Sequence, residues 1–136
     1  MYASILVPIE MSNLAHAQST IDLARSMGSD NAKITLLHVF EEIPSWAATN
    51  LPRDALDESI QVARRELETA ANNYGSDVTA DVRVGHAYKT ILDAADEIQA
   101  DLIIVASHQP GLQDYFLGST SAKVVRHAHC SVLVIR

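Results

Sequence analysis

The sequence is short of the residues that announce specialised chemistry. It has one cysteine, Cys130, so no disulfide forms within the chain and a reducing compartment fits. No basic cluster offsets 17 acidic against 10 basic side chains, and the formal net charge of −7 argues against a nucleic-acid surface. No window approaches the roughly 18 consecutive apolar residues of a membrane span. The apolar run at the N-terminus stops at Pro8 and has no basic region, so it does not read as a signal peptide, and the cytoplasm is the expected compartment. No Gly-Lys-Ser/Thr occurs, which excludes a Walker A loop, and no Gly-x-Ser-x-Gly occurs, which excludes a nucleophile elbow.

What is present is aliphatic and periodic. Aromatics make up only 5% of the chain, and the apolar content is rich in alanine and branched aliphatics, which suits helices packed on a sheet. With 136 residues, one domain spanning 1–136 is the expectation. Ser4–Ile9 reads as a strand buried on both faces, ending near Pro8 because proline removes a ladder donor. Ser12 or Asn13 can cap a helix with Ala17, Ile21 and Ala24 facing inward and Gly28 as its stop. Lys33–Val39 is a second strand, and Glu41–Pro52, with Pro44 and Pro52, reads as a loop.

Asp54–Tyr74 carries the clearest helical stripe: Leu56, Ile60, Ala63, Leu67, Ala70 and Tyr74 step by three and four, and Gly75 ends it. Val78, Ala80, Val82 and Val84 alternate with polar residues, as in a strand with one wetter face at a sheet edge. Tyr88, Ile91, Leu92, Ala95 and Ile98 mark a third helix, Asp101–Ala106 a buried strand, Ser119–Ala128 a fourth helix and Ser131–Ile135 a last strand. The alternation predicts an α/β fold: a single five-stranded parallel sheet, Rossmann-like, with helices on both faces. Ligands of such sheets sit beyond the C-terminal strand ends where strand order reverses. That directs attention to Ile9 and Glu10, to Val39, and to Ala106 onward.

Gly118-Ser119-Thr120 opens the fourth helix. A helix start offers unpaired amide hydrogens, hydroxyls and the positive end of a dipole to an anion such as phosphate. Ser and Thr are preferred at a helix start without any ligand, and from the tripeptide alone a plain cap is the favoured reading. His127-x-His129-Cys130 places soft ligands close together, but they straddle a helix end and a strand start, so their side chains diverge and no metal site is expected. A triad of Ser119, His108 and Glu10 can be drawn, yet six histidines fill such roles by chance, and no catalytic residue is assigned.

Three segments together carry a resemblance. Ile5-Leu6-Val7-Pro8-Ile9-Glu10, Asp101-Leu102-Ile103-Ile104-Val105-Ala106-Ser107-His108, and Leu117-Gly118-Ser119 followed by Val124 through Val134 resemble the universal stress protein family, in particular its small F/G-type bacterial members. The resemblance implies a five-stranded α/β domain, homodimers, and in many members ATP held without a P-loop, with Mg²⁺ as its companion ion. Carried over by position, Pro8, Ile9 and Glu10 would line the base and ribose, and Val39 would meet the adenine edge through its backbone. Val105 and Ala106 would pack near the nucleoside, His108 and Gln109 would lie near the phosphates, and Gly118, Ser119 and Thr120 would bind them, with Lys123 the nearest basic partner.

The family pattern Gly-x2-Gly-x9-Gly-Ser/Thr is only partly kept. Ala106 and Gln109 stand at the first two glycines, the spacing to Gly118 is one residue short, and Glu10 replaces the usual Asp. Ser107-His108-Gln109-Pro110 matches the Ser-His-x-Pro form of the F/G-type members. The resemblance also implies antiparallel pairing of two copies through Ser131 to Arg136. The expected function is therefore a dimeric, ATP-binding stress-response module without substantial turnover. Its alternatives are a nucleotide-independent dimeric interaction module, or a slow ATPase or self-phosphorylating protein using Ser119 or Thr120.

Overall fold

The computed structural model describes residues 1–42, 46, 53–106 and 118–136. Five strands form one parallel sheet: β1 (Tyr2–Pro8), β2 (Gly28–Glu41), β3 (Val78–Gly85), β4 (Leu102–Ala106) and β5 (Ser131–Ile135), in the order β3-β2-β1-β4-β5. Among the described residues α-helices cover it at α1 (Gln18–Met27), α2 (Arg53–Tyr74), α3 (Ala87–Glu97) and α4 (Ser119–His127), with a 3₁₀ turn at Met11–His16. Strand order reverses at β1, which pairs with β2 from Ile5↔Ile34 to Pro8↔Leu37 and with β4 at Ile5↔Leu102 and Leu6↔Ile103.

The two faces bury different alternate residues. On one, Ile5, Val7, Ile34, Leu36, Leu102 and Ile104 pack against Ile21 and Ala24 of α1 and Leu67 and Ala71 of α2. On the other, Leu6, Leu37, Ile103 and Val105 meet Ile91, Ala94 and Ala95 of α3 and Val124 of α4. β1 is buried from both sides, with Ile5 and Leu6 wholly enclosed, which is why its core reads as a continuous apolar run rather than an alternation. β3 is an edge strand, in line with its alternating sequence, and Val84 at its far end is exposed. Among the described residues no helix is long and apolar enough to cross a membrane.

Two elements differ from the expectation. The chain after Glu10 first winds as a 3₁₀ turn, with the Asn13 amide donating to the Glu10 carbonyl at 2.9 Å, so Ser12 and Asn13 lie inside that turn and α1 starts at Gln18 without a side-chain cap. Gly28 does end α1, but with φ −83° and ψ 157° it begins β2 directly. Its lack of a side chain serves close approach, since a Cβ there would stand 2.7 Å from the Ala32 Cβ. β2 therefore starts five residues before Lys33, over polar residues that carry no hydrophobic signal. Most of the expected loop Glu41–Pro52 lies outside the described residues, and Glu41 itself closes β2.

Polar contacts between distant segments fasten this frame. The Asp101 carboxylate, just before β4, accepts the amide hydrogens of Ala3 (2.9 Å) and Ser4 (3.0 Å) on β1, and the Ser4 carbonyl accepts the Asp101 amide at 2.9 Å. Burial pushes the Asp101 carboxyl up, but the amides of Ala3, Ser4 and Asp101 itself and the N-terminal ammonium outweigh it and hold it below the ordinary value. Arg25 on α1 bridges to Asp77 ahead of β3, with both contacts at 2.9 Å, and also donates to the Tyr74 carbonyl. The Arg25 hydrogen bond leads the causes that hold the Asp77 carboxyl low. Gly75, at φ +140°, makes the turn between α2 and this bridge.

Both carboxyls have folded values below their unfolded value of about 3.9, so their stabilisation is complete above that pH and is lost as pH falls through the lower folded values. Urea denaturation of Asp101→Ala at pH 7 is expected to show a loss of about 1–2 kcal/mol, the cost of two stranded amides, shrinking towards pH 2; a loss equal at both pH values contradicts the assignment. Gly75→Ala is expected to cost a further order of 1–3 kcal/mol, because φ +140° excludes a side chain there, and a thermal midpoint equal to wild type would refute that strain.

Candidate functional site

The parting of β1 from β4 at the C-terminal edge of the sheet starts from a missing hydrogen. In a parallel ladder, successive residues turn their amide and carbonyl to opposite neighbours. The Ile9 amide donates to the Leu37 carbonyl at 2.8 Å, so odd residues of β1 face β2, while the Ser4 carbonyl, taken by Asp101, shows that even residues face β4. Pro8 therefore turns an imide nitrogen without hydrogen towards β4. The β1–β4 ladder ends at Leu6↔Ile103, whereas β1–β2 continues to Pro8↔Leu37. The strands that part at the reversal point part first on the side where proline has nothing to donate.

The β1 side of the gap carries Ile9 and Glu10. The Ile9 carbonyl accepts a hydrogen bond from Nδ1 of His38, at 3.0 Å, and the Glu10 carbonyl anchors the 3₁₀ turn, leaving the exposed Glu10 carboxylate at the strand end. His38 lies on the α1–α2 face, 8% exposed and edge-on to Phe40. Val39 follows with its backbone turned towards β1, since the even residues of β2 face β3, as the Ile34 amide's bond to Asp77 shows. The Val39 side chain packs into the α3–α4 layer, so only its backbone is offered to the gap.

The β4 side carries Ala106 and the start of α4. The Ser121 hydroxyl, 7% exposed, donates to the Ala106 carbonyl at 3.2 Å and ties the first turn of α4 to the end of β4. Gly118 is the N-cap, in extended conformation (φ −58°, ψ 152°), and its carbonyl accepts the Ala122 amide at 2.8 Å. No side chain caps this helix, so the hydroxyls of Ser119 and Thr120, both exposed, are not spent on its own amides. That removes the plain-cap reading favoured by the tripeptide alone. The arrangement offers free amide hydrogens and two hydroxyls at the positive end of a helix, the equipment for an anion.

Pro8, Ile9, Glu10, Val39, Ala106, Gly118, Ser119 and Thr120 thus belong to the neighbouring strand ends and helix start of one sheet edge. Val105 is buried against α3 and α4 and can present only backbone. His108 and Gln109 lie outside the described residues. The Lys123 ammonium sits 4.9 Å from the centroid of the Tyr88 ring on α3, a cation–π contact.

Two residues at this edge escaped the sequence reading, His38 and Ser121. The available signals were a histidine interrupting the apolar run Leu36-Leu37-His38-Val39-Phe40, and a serine three positions before the buried Val124 on α4. Along α4 and beyond it, His127 lies near Tyr88 with ring centroids 6.1 Å apart, while His129 faces Asp96 at 3.6 Å. Among the described residues no three His, Cys, Asp or Glu side chains converge as metal ligands. Burial, then the charges of Asp101 and Asp96, push the Cys130 thiol up, away from its reactive thiolate form.

Comparison with known proteins places this geometry. A family model described as the universal stress protein family matches residues 1–136. Universal stress protein G of Escherichia coli O157:H7 is 30% identical over 145 residues, covering all of both chains. Universal stress protein UspA from Lactobacillus plantarum superposes with a TM-score of 0.72 at 26% identity, covering 99% of this chain and 98% of that one. A universal stress protein solved in complex with cAMP shares the fold at TM-score 0.67 and 23% identity, covering 99% of this chain and 97% of that one. The Archaeoglobus fulgidus protein solved in complex with dAMP does so at TM-score 0.64 and 16% identity, covering 99% and 98%. With the whole length matched and the five-stranded parallel sheet in place, the chain belongs to the universal stress protein family.

Proposed function

We propose that this protein is an adenine-nucleotide-binding regulatory module, with ATP as its ligand and Mg²⁺ as companion ion, seated across the gap between the end of β1 and the start of α4. The observation that carries the reading is the uncapped start of α4, whose Ser119 and Thr120 stay exposed while Ser121 fixes the turn to Ala106. A ligand whose phosphates lie on α4 has its nucleoside directed along the strand ends towards Ile9, Glu10 and Val39. β1 and β4 are adjacent strands about 4.8 Å apart, which brings the two groups within the span of one nucleotide. The family relatives solved with cAMP and dAMP support an adenylate as the ligand class. Glu10 would serve the ribose hydroxyls or the ion, and Ala106 in place of glycine makes the approach of phosphate depend more heavily on Gly118.

A second feature favours a homodimer. β5 lies at an edge of the sheet, and Val132, Leu133 and Val134 remain half-exposed there. A short apolar edge strand invites pairing with another chain. We infer that Ser131 to Arg136 pairs with its counterpart in a second copy, which adds no residue to the nucleotide site and leaves it a cytoplasmic two-site module.

Equilibrium dialysis with labelled ATP and Mg²⁺ is expected to show one site per chain, lost on Gly118→Val while the far-UV spectrum is kept. No binding up to millimolar ATP, or undiminished binding by Gly118→Val, overturns the site. Sedimentation equilibrium at micromolar protein is expected to give twice the chain mass of 14.8 kDa; a monomer at all loading concentrations rejects the pairing.

A further inference from the structure

The β1–β2 ladder stops one bond early, and a side chain is the reason. Leu37 receives the Ile9 amide, so the next bond of a regular parallel ladder would run from the Val39 amide to the Ile9 carbonyl. Among the described residues that bond is not made. The Ile9 carbonyl is met by the His38 imidazole at 3.0 Å instead. A carbonyl only accepts, so Nδ1 carries the proton and the tautomer follows from the contact. The ring is held in this pose by burial and by Phe40, with centroids 4.8 Å apart and planes at 80°.

The consequence falls on Val39. Its amide and carbonyl face the gap beyond β1 as a donor and an acceptor side by side. The amino-bearing edge of adenine presents the complementary acceptor and donor. An amide already bonded to Ile9 would have to be released before a base could use it.

We propose that His38 is a positioning residue for base recognition, which by occupying the Ile9 carbonyl keeps the Val39 backbone pair open to the nucleotide. This rests on the adenine-nucleotide reading of the cleft. His38 touches no phosphate or ribose position, so its effect is confined to the base-dependent part of affinity.

Amide hydrogen exchange followed by NMR on the ligand-free protein tests the first step. Val39 is expected to exchange at least tenfold faster than Leu37, and to slow to the Leu37 rate in His38→Phe, where the ladder bond closes. Affinities for ATP and for inorganic tripolyphosphate test the second. His38→Phe is expected to weaken ATP about tenfold, the worth of one hydrogen bond, and to leave tripolyphosphate unchanged, while His38→Gln, whose side-chain amide can donate to Ile9, restores much of the ATP affinity. Val39 protected like Leu37 in the wild type overturns the proposal, and this measurement decides it even if His38→Phe does not fold. ATP binding that His38→Phe leaves intact overturns the positioning role alone. Fast Val39 exchange without any ATP binding overturns the nucleotide reading and the role together.

Discussion

One absent hydrogen, at the nitrogen of Pro8, governs the C-terminal edge of this sheet. β1 is the central strand, wholly buried at Ile5 and Leu6 and clamped to β4 at its start by Asp101. Such a strand would carry its ladder to both neighbours as far as their lengths allow. Proline denies it the bond towards β4, and pairing there ends at Leu6↔Ile103 while pairing with β2 runs on to Pro8↔Leu37. The gap so opened coincides with the reversal of strand order, where helices leave the sheet on opposite faces.

Each rim of that gap is then fixed by one side-chain-to-carbonyl bond. His38 holds Ile9 on the β1 rim, and Ser121 holds Ala106 on the β4 rim. Both donors are buried and both acceptors are carbonyls at strand ends, the groups a terminating ladder leaves unpaired. Satisfying them internally stiffens the rims and leaves other polar groups, the Val39 backbone and the start of α4, for something else to satisfy. On the proposed reading, an acidic protein without a basic cluster would meet phosphate by this local arrangement of dipoles, while Lys123 stands 4.9 Å from the Tyr88 ring.

The parts of this structure legible in sequence are those set by local pattern. The helix expected over Asp54–Tyr74 and the strand expected over Asp101–Ala106 match α2 and β4 to within a residue, and the alternation at Val78–Val84 gave an edge strand. The reach of β2 back to Gly28 was not legible, because Ser29, Asp30 and Asn31 lie in an irregularity between the pairs Tyr2↔Gly28 and Ser4↔Lys33 and are exposed to water. His38 and Ser121 were missed for a related reason: their bonds span 29 and 15 positions, and no local spacing announces them. The same holds for the contact of Lys123 with the Tyr88 ring, 35 positions away on another helix.

The most direct test of the account is a titration of ¹⁵N-labelled protein with AMP, which reads both rims of the gap at once. The account predicts the largest amide shifts at Glu10 and Val39 and at Ser119 and Thr120, saturating together with one dissociation constant. Shifts confined to the far end of the sheet around Cys130, or to one rim alone, would contradict it.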